Sequence, residues 1–254
     1  MSHRETKRRM RHFPAGIAAV TLSALSLAAC APAPAPQGIY DPYEKQNRAT
    51  HELNLTLDKN VIRPLARGAN RVIPEPVVQG VSNFASNLDL PGMVVNDVLQ
   101  LRLDRAVHNT LRFAINTTIG IGGLFDPATP MGAPVKETDF GETLAVWGAG
   151  EGAYVELPLY GPSTERDAFG KIVDIGLDPV RMFVPKDKKW ITTAATVIAK
   201  IGDRGRYSET IDSILYDSAD GYAQARLLYL QHRRYNLGQT TTESDFEDPY
   251  AQQQ

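Results

Sequence analysis

Apolar residues in this chain recur mostly at helical intervals. Thr50, Leu53, Leu57 and Val61 follow Asp41-Pro42-Tyr43-Glu44, in which Asp41 reads as an N-cap, Pro42 as the first helical residue and Glu44 as reaching back to the cap; Pro64 is expected to interrupt this helix. A second stripe, Val77, Val81, Phe84 and Leu88, follows Pro76 and is expected to break at Pro91 and Gly92. After an apolar segment from Met93 to Leu103, Asp104 can cap a helix with Val107, Leu111, Ile115 and Thr118 on one face, ended by Gly120, Gly122 and Gly123. Thr164 and Asp167 form a capping box ahead of Phe169, Ile172 and Val173, which are expected inside. Trp190, Ala194, Val197 and Ile201 make another stripe from Asp187, and the last helices cover roughly 208–216 and 219–235.

Only Val155, Leu157 and Leu159 alternate, and Pro158 limits them to an extended segment or a small hairpin. The fold class is therefore all-α with at most one small hairpin. No segment after Cys30 has the ~18 or more apolar residues of a spanning helix, and successive alternating strands for an outer-membrane barrel are missing. Any further entry into a membrane has to use amphipathic helices.

The first 29 residues follow another logic. Arg4, Lys7, Arg8, Arg9 and Arg11 against Glu5 give +4, and Ile17 to Ala29 are apolar and small, the pattern of a secretory signal peptide. Leu27-Ala28-Ala29-Cys30 resembles the lipobox of bacterial lipoproteins, which implies that Cys30 becomes an acylated N-terminus. A soluble secreted protein with an incidental thiol is the plainer alternative. Ala31, where an Asp would suggest inner-membrane retention, implies the outer membrane by the same resemblance. Ala31 to Pro36 favour a polyproline II tether, so residues 30–40 form a spacer, 41–238 the helical domain and 239–254 a disordered polar tail.

Composition and charge narrow the function. The chain is 43% hydrophobic and 22% charged, ordinary for a folded protein. Residues 30–254 carry 22 basic and 28 acidic groups, a net of −6, which offers no basic face to nucleic acid. Cys30 is the only cysteine, so internal disulfides and thiolate metal sites are excluded. His51, His108 and His232 lack metal-ligand spacing, and no GxSxG elbow or P-loop occurs. Gly120, Gly122 and Gly123 follow a helix rather than a strand, unlike a dinucleotide fingerprint. Asp139 and Glu142 read as capping or solvated carboxylates. The expectation is a protein without metal, cofactor or covalent chemistry.

Four blocks together carry a family resemblance: DPYEKQNR (41–48), SNFASNLDLPGMVVNDVLQ (82–100), LRFAINTTIGIGGLFDPA (111–128) and DFGETLAVWGAGEGAYVELPLYGPSTERDAFG (139–170). They resemble the MlaA family, also called VacJ, over most of residues 41–235. The resemblance implies a ring-like arrangement of amphipathic helices in the periplasmic leaflet of the outer membrane, often beside trimeric porins. It implies a channel by which mislocalised phospholipid leaves the outer leaflet, to be received by the soluble periplasmic carrier MlaC, so that lipid asymmetry is maintained. The alternative is a structural adaptor lipoprotein for porins or envelope assembly that moves no lipid.

Within that frame, Gly148, Gly150 and Gly152 either form a bendable loop at the lipid path or only shape a tight turn under Trp147 and Tyr154. Trp147 and Trp190 suit the headgroup zone, with Lys186, Lys188 and Lys189 preceding Trp190; a core Trp at a solvated helix start is the other reading. The stripe Val107, Leu111 and Ile115 fits lipid and protein interior equally well.

Overall fold

The computed structural model describes residues 38–239. The expected signal peptide, Cys30, the tether up to residue 37 and the tail beyond residue 239 lie outside the described residues. Helices α1 (Glu44–Leu57), α2 (Arg63–Val72), α3 (Glu75–Leu99) and α4 (Leu103–Thr118) come first. A long loop leads to α5 (Phe140–Val146) and to the antiparallel strands β1 (Tyr154–Leu157) and β2 (Gly161–Thr164). Then follow α6 (Glu165–Leu177), α7 (Pro179–Phe183), α8 (Lys189–Arg206), α9 (Ser208–Leu215) and α10 (Gly221–Asn236). The all-α expectation with one small hairpin agrees with this architecture. Tyr154 pairs with Thr164 and Leu157 with Gly161, and Leu159 takes a left-handed φ of 67° in the turn between the strands.

Several expected boundaries differ. Helix α1 begins at Glu44 with Tyr43 at the N-cap, and Asp41 accepts instead from Asn47 Nδ2, Arg226 and the Tyr222 hydroxyl. Pro64 does not end the helical run: a π-turn, Asp58–Ile62, widens the chain before it and accommodates the missing N–H. That turn is pinned from outside, because Arg204 grips both Asp58 oxygens at 2.8 Å and the Tyr216 hydroxyl donates to Asp58 at 2.7 Å. Helix α3 runs unbroken through Pro91 and Gly92 for 25 residues. An interior proline costs roughly 3 kcal/mol, which α3 offsets by packing on α4 along one side and α8 along another. Helix α4 starts at Leu103 with Arg102, not Asp104, at the N-cap. Phe169 and Ile172 point out, with Val173 half-buried, so the α6 stripe is not inside.

The glycine-rich stop after α4, the Thr164 cap of α6 and the last two helices follow the expectation. Gly122 and Gly123 take positive φ, and the Gly123 N–H donates to the Asn116 carbonyl. Thr164 accepts from the Asp167 N–H at 3.2 Å.

Small residues let helices approach closely. Ala85 of α3 packs against Ala195 and Ala199 of α8, and a Cβ on Gly202 would lie 2.6 Å from Val78 Cγ1. Gly170 of α6 rests on Gly141 of α5, where a Cβ would lie 2.4 Å from the Gly141 nitrogen. Contacts between elements close a circuit: α3 meets α8, α8 meets α2, the π-turn carries the chain to α1, α1 meets β1, β1 meets α6, α6 meets α5, and α5 returns to α3. The ring-like arrangement corresponds to this circuit.

Candidate functional site: a polar passage inside an apolar shell

Two helices, α4 and α6, are turned inside out relative to those of a water-soluble protein. On α4, Asn109, Arg112 and Asn116 are buried with Ala106, whereas Val107 is 60% and Leu111 56% exposed. On α6, Arg166, Asp167 and Gly170 are buried while Phe169, Ile172 and Ile175 face out. Helix α3 buries Asn87, Asn96 and Asp97, and β1 buries Glu156 beside Tyr154 while Val155 and Leu157 are half-exposed. Exposed apolar residues recur on α2 (Leu65, Val72), α7 (Met182, Phe183) and α8 (Trp190, Val197, Ile198). Apolar surface repeated on so many elements marks contact with something other than water. No helix among the described residues is long and apolar enough to cross a membrane.

The polar faces do not seal against one another. A cavity of about 450 Å³ lies between α3, α4 and the loop after it, bordered by Ser82, Asn83, Ser86, Asp89, Arg112 and Glu137. A second of about 290 Å³ lies between α3, α6 and α7 and shares Asp89 and Met93 with the first. A third of about 480 Å³, bordered by Arg105, Asp139, Glu142, His232 and Arg233, shares Met93, Val135 and Glu137 with the first. Met93 borders all three. The three cavities therefore adjoin within the circuit of helices, with charged and polar side chains beside apolar ones on their walls.

Its walls are held by buried side-chain networks. Arg112 pairs with Asp126 at 2.6 Å and donates to the Ala133 carbonyl, while Asn116 and Thr129 bond the same carboxylate. Burial opposes the charge on Asp126, but the hydrogen bonds from Thr129, Arg112 and Asn116 outweigh it and hold the carboxyl below its usual range. Asn109 donates to Asp97 at 2.8 Å and to the Lys136 carbonyl at 2.9 Å, fixing the loop to α4. Gln100 donates to Thr138 and Thr143, Thr143 donates to Asn96, and Asn96 donates to Asp174. Arg233 of α10 clamps Asp139, the N-cap of α5, and Asp167 of α6. Glu142 is buried against Arg102 rather than solvated.

The residues singled out from sequence occupy distinct places. Gly148 and Gly152 have φ of 93° and 74°, whereas Gly150 does not need the left-handed region. A Cβ on Gly152 would approach Glu165 Oε2 to 2.8 Å, while one on Gly150 would meet open space. The loop is tied at both ends, by Ala149 N–H to the Leu144 carbonyl and by Glu151 to Arg234 at 2.9 Å. The cavities above are bordered by other residues. Trp147 donates through Nε1 to the Leu99 carbonyl at 3.1 Å and stacks edge-on against Phe140, with part of its ring exposed. Trp190 is 68% exposed at the start of α8, which excludes a core position. His51 sits buried beside Glu156, and His108 meets the Pro134 carbonyl. No group of three His, Cys, Asp or Glu able to hold a metal occurs among the described residues.

Sequence reasoning missed the passage residues Asp89, Met93, Arg112, Asp126 and Glu137. The signal was present in α3: Ser82, Asn83, Ser86 and Asp89 recur at helical spacing opposite the apolar stripe. A polar face is ordinarily assigned to water, and here it faces the interior.

The MlaA lipoprotein family model matches residues 39–236. The chain belongs to the MlaA lipoprotein family. The "Intermembrane phospholipid transport system lipoprotein MlaA" of Escherichia coli is 33% identical over 228 residues, covering 86% of this chain and 87% of that one. An uncharacterized protein of Rickettsia felis is 37% identical over 189 residues, covering 74% of each chain. Among solved structures, one described as the structural basis for maintenance of bacterial outer membrane lipid asymmetry superimposes with a TM-score of 0.68 at 33% identity, covering 78% of this chain and 98% of that one. The MlaA resemblance of the four sequence blocks thus extends to the whole helical domain.

Proposed function

We infer that this chain is the outer-membrane lipoprotein of an intermembrane phospholipid transport system, removing phospholipid from the outer leaflet and so maintaining lipid asymmetry. The observation that carries this reading is the set of adjoining cavities, bordered by Asp89, Arg112, Glu137 and Arg233, inside a shell of outward-facing apolar helix faces. A charged headgroup in hydrocarbon costs at least a few kcal/mol, and a polar lumen beside lipid-facing walls lowers that barrier without covalent chemistry. The shell sits in the periplasmic leaflet, with acyl chains on Cys30 as anchor and Trp147 and Trp190 at headgroup level. A trimeric porin supports it laterally, and a soluble carrier of the MlaC kind receives the lipid. Gly148, Gly150 and Gly152 form a loop outside the three cavities whose bending, centred on Gly150, serves lipid movement.

The test is a deletion strain assayed for outer-leaflet phospholipid. Loss of the chain raises that lipid, and re-expression restores it. Re-expression with Gly148, Gly150 and Gly152 all changed to Ala restores it poorly. Unchanged outer-leaflet lipid in the deletion, with porin binding retained, overturns the transport reading in favour of an adaptor. A fully active triple-Ala chain removes only the loop's role.

A further inference from the structure

Asp89 differs from the carboxylates packed within the fold. Asp97 bonds Asn109 and pairs with Arg105, Asp126 pairs with Arg112, Asp167 with Arg233, and Asp174 accepts from Asn96 and the Phe140 N–H. Asp89 has no hydrogen bond and no ion pair, yet it borders two cavities of the passage. Its surface is exposed and opens into a partly open hollow. Across the cavity of about 290 Å³ stands Arg181. Its Nε pairs with Asp178 at 3.2 Å, and both Nη groups are without partners.

We propose that Asp89 and Arg181 form a headgroup station in the passage that favours amine-bearing zwitterionic phospholipid over anionic phospholipid. The proposal rests on the lipid-conducting reading above. An ethanolamine headgroup carries a phosphate anion and an ammonium two carbons away; a glycerol headgroup carries the same phosphate and only hydroxyls. Arg181 meets the phosphate common to both, with its free guanidinium nitrogens. Asp89 accepts from the ammonium, which only the first headgroup supplies.

The surroundings support the assignment. Burial first, then Asp178, push the Asp89 carboxyl up to about 6, with Glu137 acting the same way and Lys200 and Arg181 opposing. The protein thus leaves the charge of Asp89 incompletely compensated. With Asp89, Asp178 and Glu137 against Lys200 and Arg181, the field at the station favours a cation at its centre and disfavours a second anion.

The experiment uses the full-length chain reconstituted into vesicles of phosphatidylethanolamine and phosphatidylglycerol. Each vesicle set carries a trace of one of these lipids labelled on the acyl tail, and loss of label to an added membrane-impermeant reductant reports passage between leaflets. Labelled phosphatidylethanolamine passes about tenfold faster than phosphatidylglycerol, the worth of one charge-assisted hydrogen bond. Asp89→Asn brings the two rates together, and Asp89→Glu restores the difference. Arg181→Gln slows both lipids and leaves their ratio in place. Equal rates in the unaltered chain, or a preference that survives Asp89→Asn, overturn the station while the lipid-conducting reading stands. Unaltered rates in Arg181→Gln remove the phosphate half of the station and with it the proposal. Passage of neither lipid overturns the underlying reading, and the station falls with it.

Discussion

Charge is handled in opposite ways at the α5–α6–α10 clamp, where it is buried, and along the cavity face of α3, where Asp89 stays exposed. In the clamp, Arg233 spans Asp139 and Asp167, and the Tyr229 hydroxyl adds a 2.7 Å bond to Asp167. Glycines 141 and 170 bring the two helix backbones into contact beneath them. On α3, Asp89 has a hollow in front of it and no partner. A buried charge is tolerable when paired and hydrogen-bonded and costly when alone. The clamp is therefore built for stability, and the face of α3 keeps a charge available to a passing ligand.

The largest effect is expected where pairing is complete. Asp167→Ala leaves Arg233 and Arg166 facing an empty site, and a broken buried pair costs about 3–5 kcal/mol; denaturant unfolding in detergent checks this, and a loss of a few tenths would dissolve the contrast. Next comes Gly170→Ala, whose new methyl must displace the Gly141 backbone. Overpacking of this kind costs roughly 1–3 kcal/mol, read as a lower unfolding midpoint with the helical content intact.

The pH dependence separates the two regions by sign. Burial opposes the ionisation of Asp167, but Arg233, Arg166 and the Tyr229 hydroxyl outweigh it and hold its pKa below the ordinary 3.8. Its stabilisation is complete above 3.8 and is lost as pH falls through the lower folded value. Asp89 is raised from 3.8 to about 6, so the folded chain takes up a proton before the unfolded one, and stability falls as pH rises between those values. Acidifying from neutrality toward 3.8 raises the unfolding midpoint through Asp89, together with the raised carboxyls of Asp97 and Asp174, and further acid lowers it through Asp167. Asp89→Asn removes its own part of the first limb, leaving that of Asp97 and Asp174, whose carboxyls burial also raises, and stabilises the chain at neutral pH. A destabilised Asp89→Asn chain would contradict the view of Asp89 as an uncompensated charge.

The smallest effect on folding is expected on the outer shell. Leu111→Asp leaves the buried Asn109, Arg112 and Asn116 untouched, so unfolding in detergent changes little, while binding to phospholipid vesicles weakens. A collapse of folding there would place Leu111 in a protein core instead of against lipid.

Much of the architecture was legible in the sequence. Thr164 with Asp167, the glycines after α4 and the stripe of α8 act through local rules, capping and helical period, that need no knowledge of neighbours. Pro91 was misread because the packing of α3 between α4 and α8, which outweighs a broken turn, is set by distant sequence. Asp41 was misread as a cap because its partners Tyr222 and Arg226 lie about 180 residues away. The passage was hidden for a different reason: a helical period identifies two faces of α4 or α6 and says nothing of which one meets water. Phe169 and Ile172 have the spacing of core residues and lie on the outside.

The central claim is that lipid moves through the hollow where the three cavities meet. Met93 borders all of them, so Met93→Trp fills the space they share, and an unchanged unfolding midpoint in detergent checks that Asp139 and Arg233 of the clamp, which border the third cavity, are undisturbed. In vesicles carrying tail-labelled phospholipid, the unaltered chain speeds passage between leaflets, and Met93→Trp, folded and membrane-bound, reduces it at least tenfold, about 1.4 kcal/mol in the barrier. Passage through Met93→Trp at the rate of the unaltered chain would mean that lipid does not use this route.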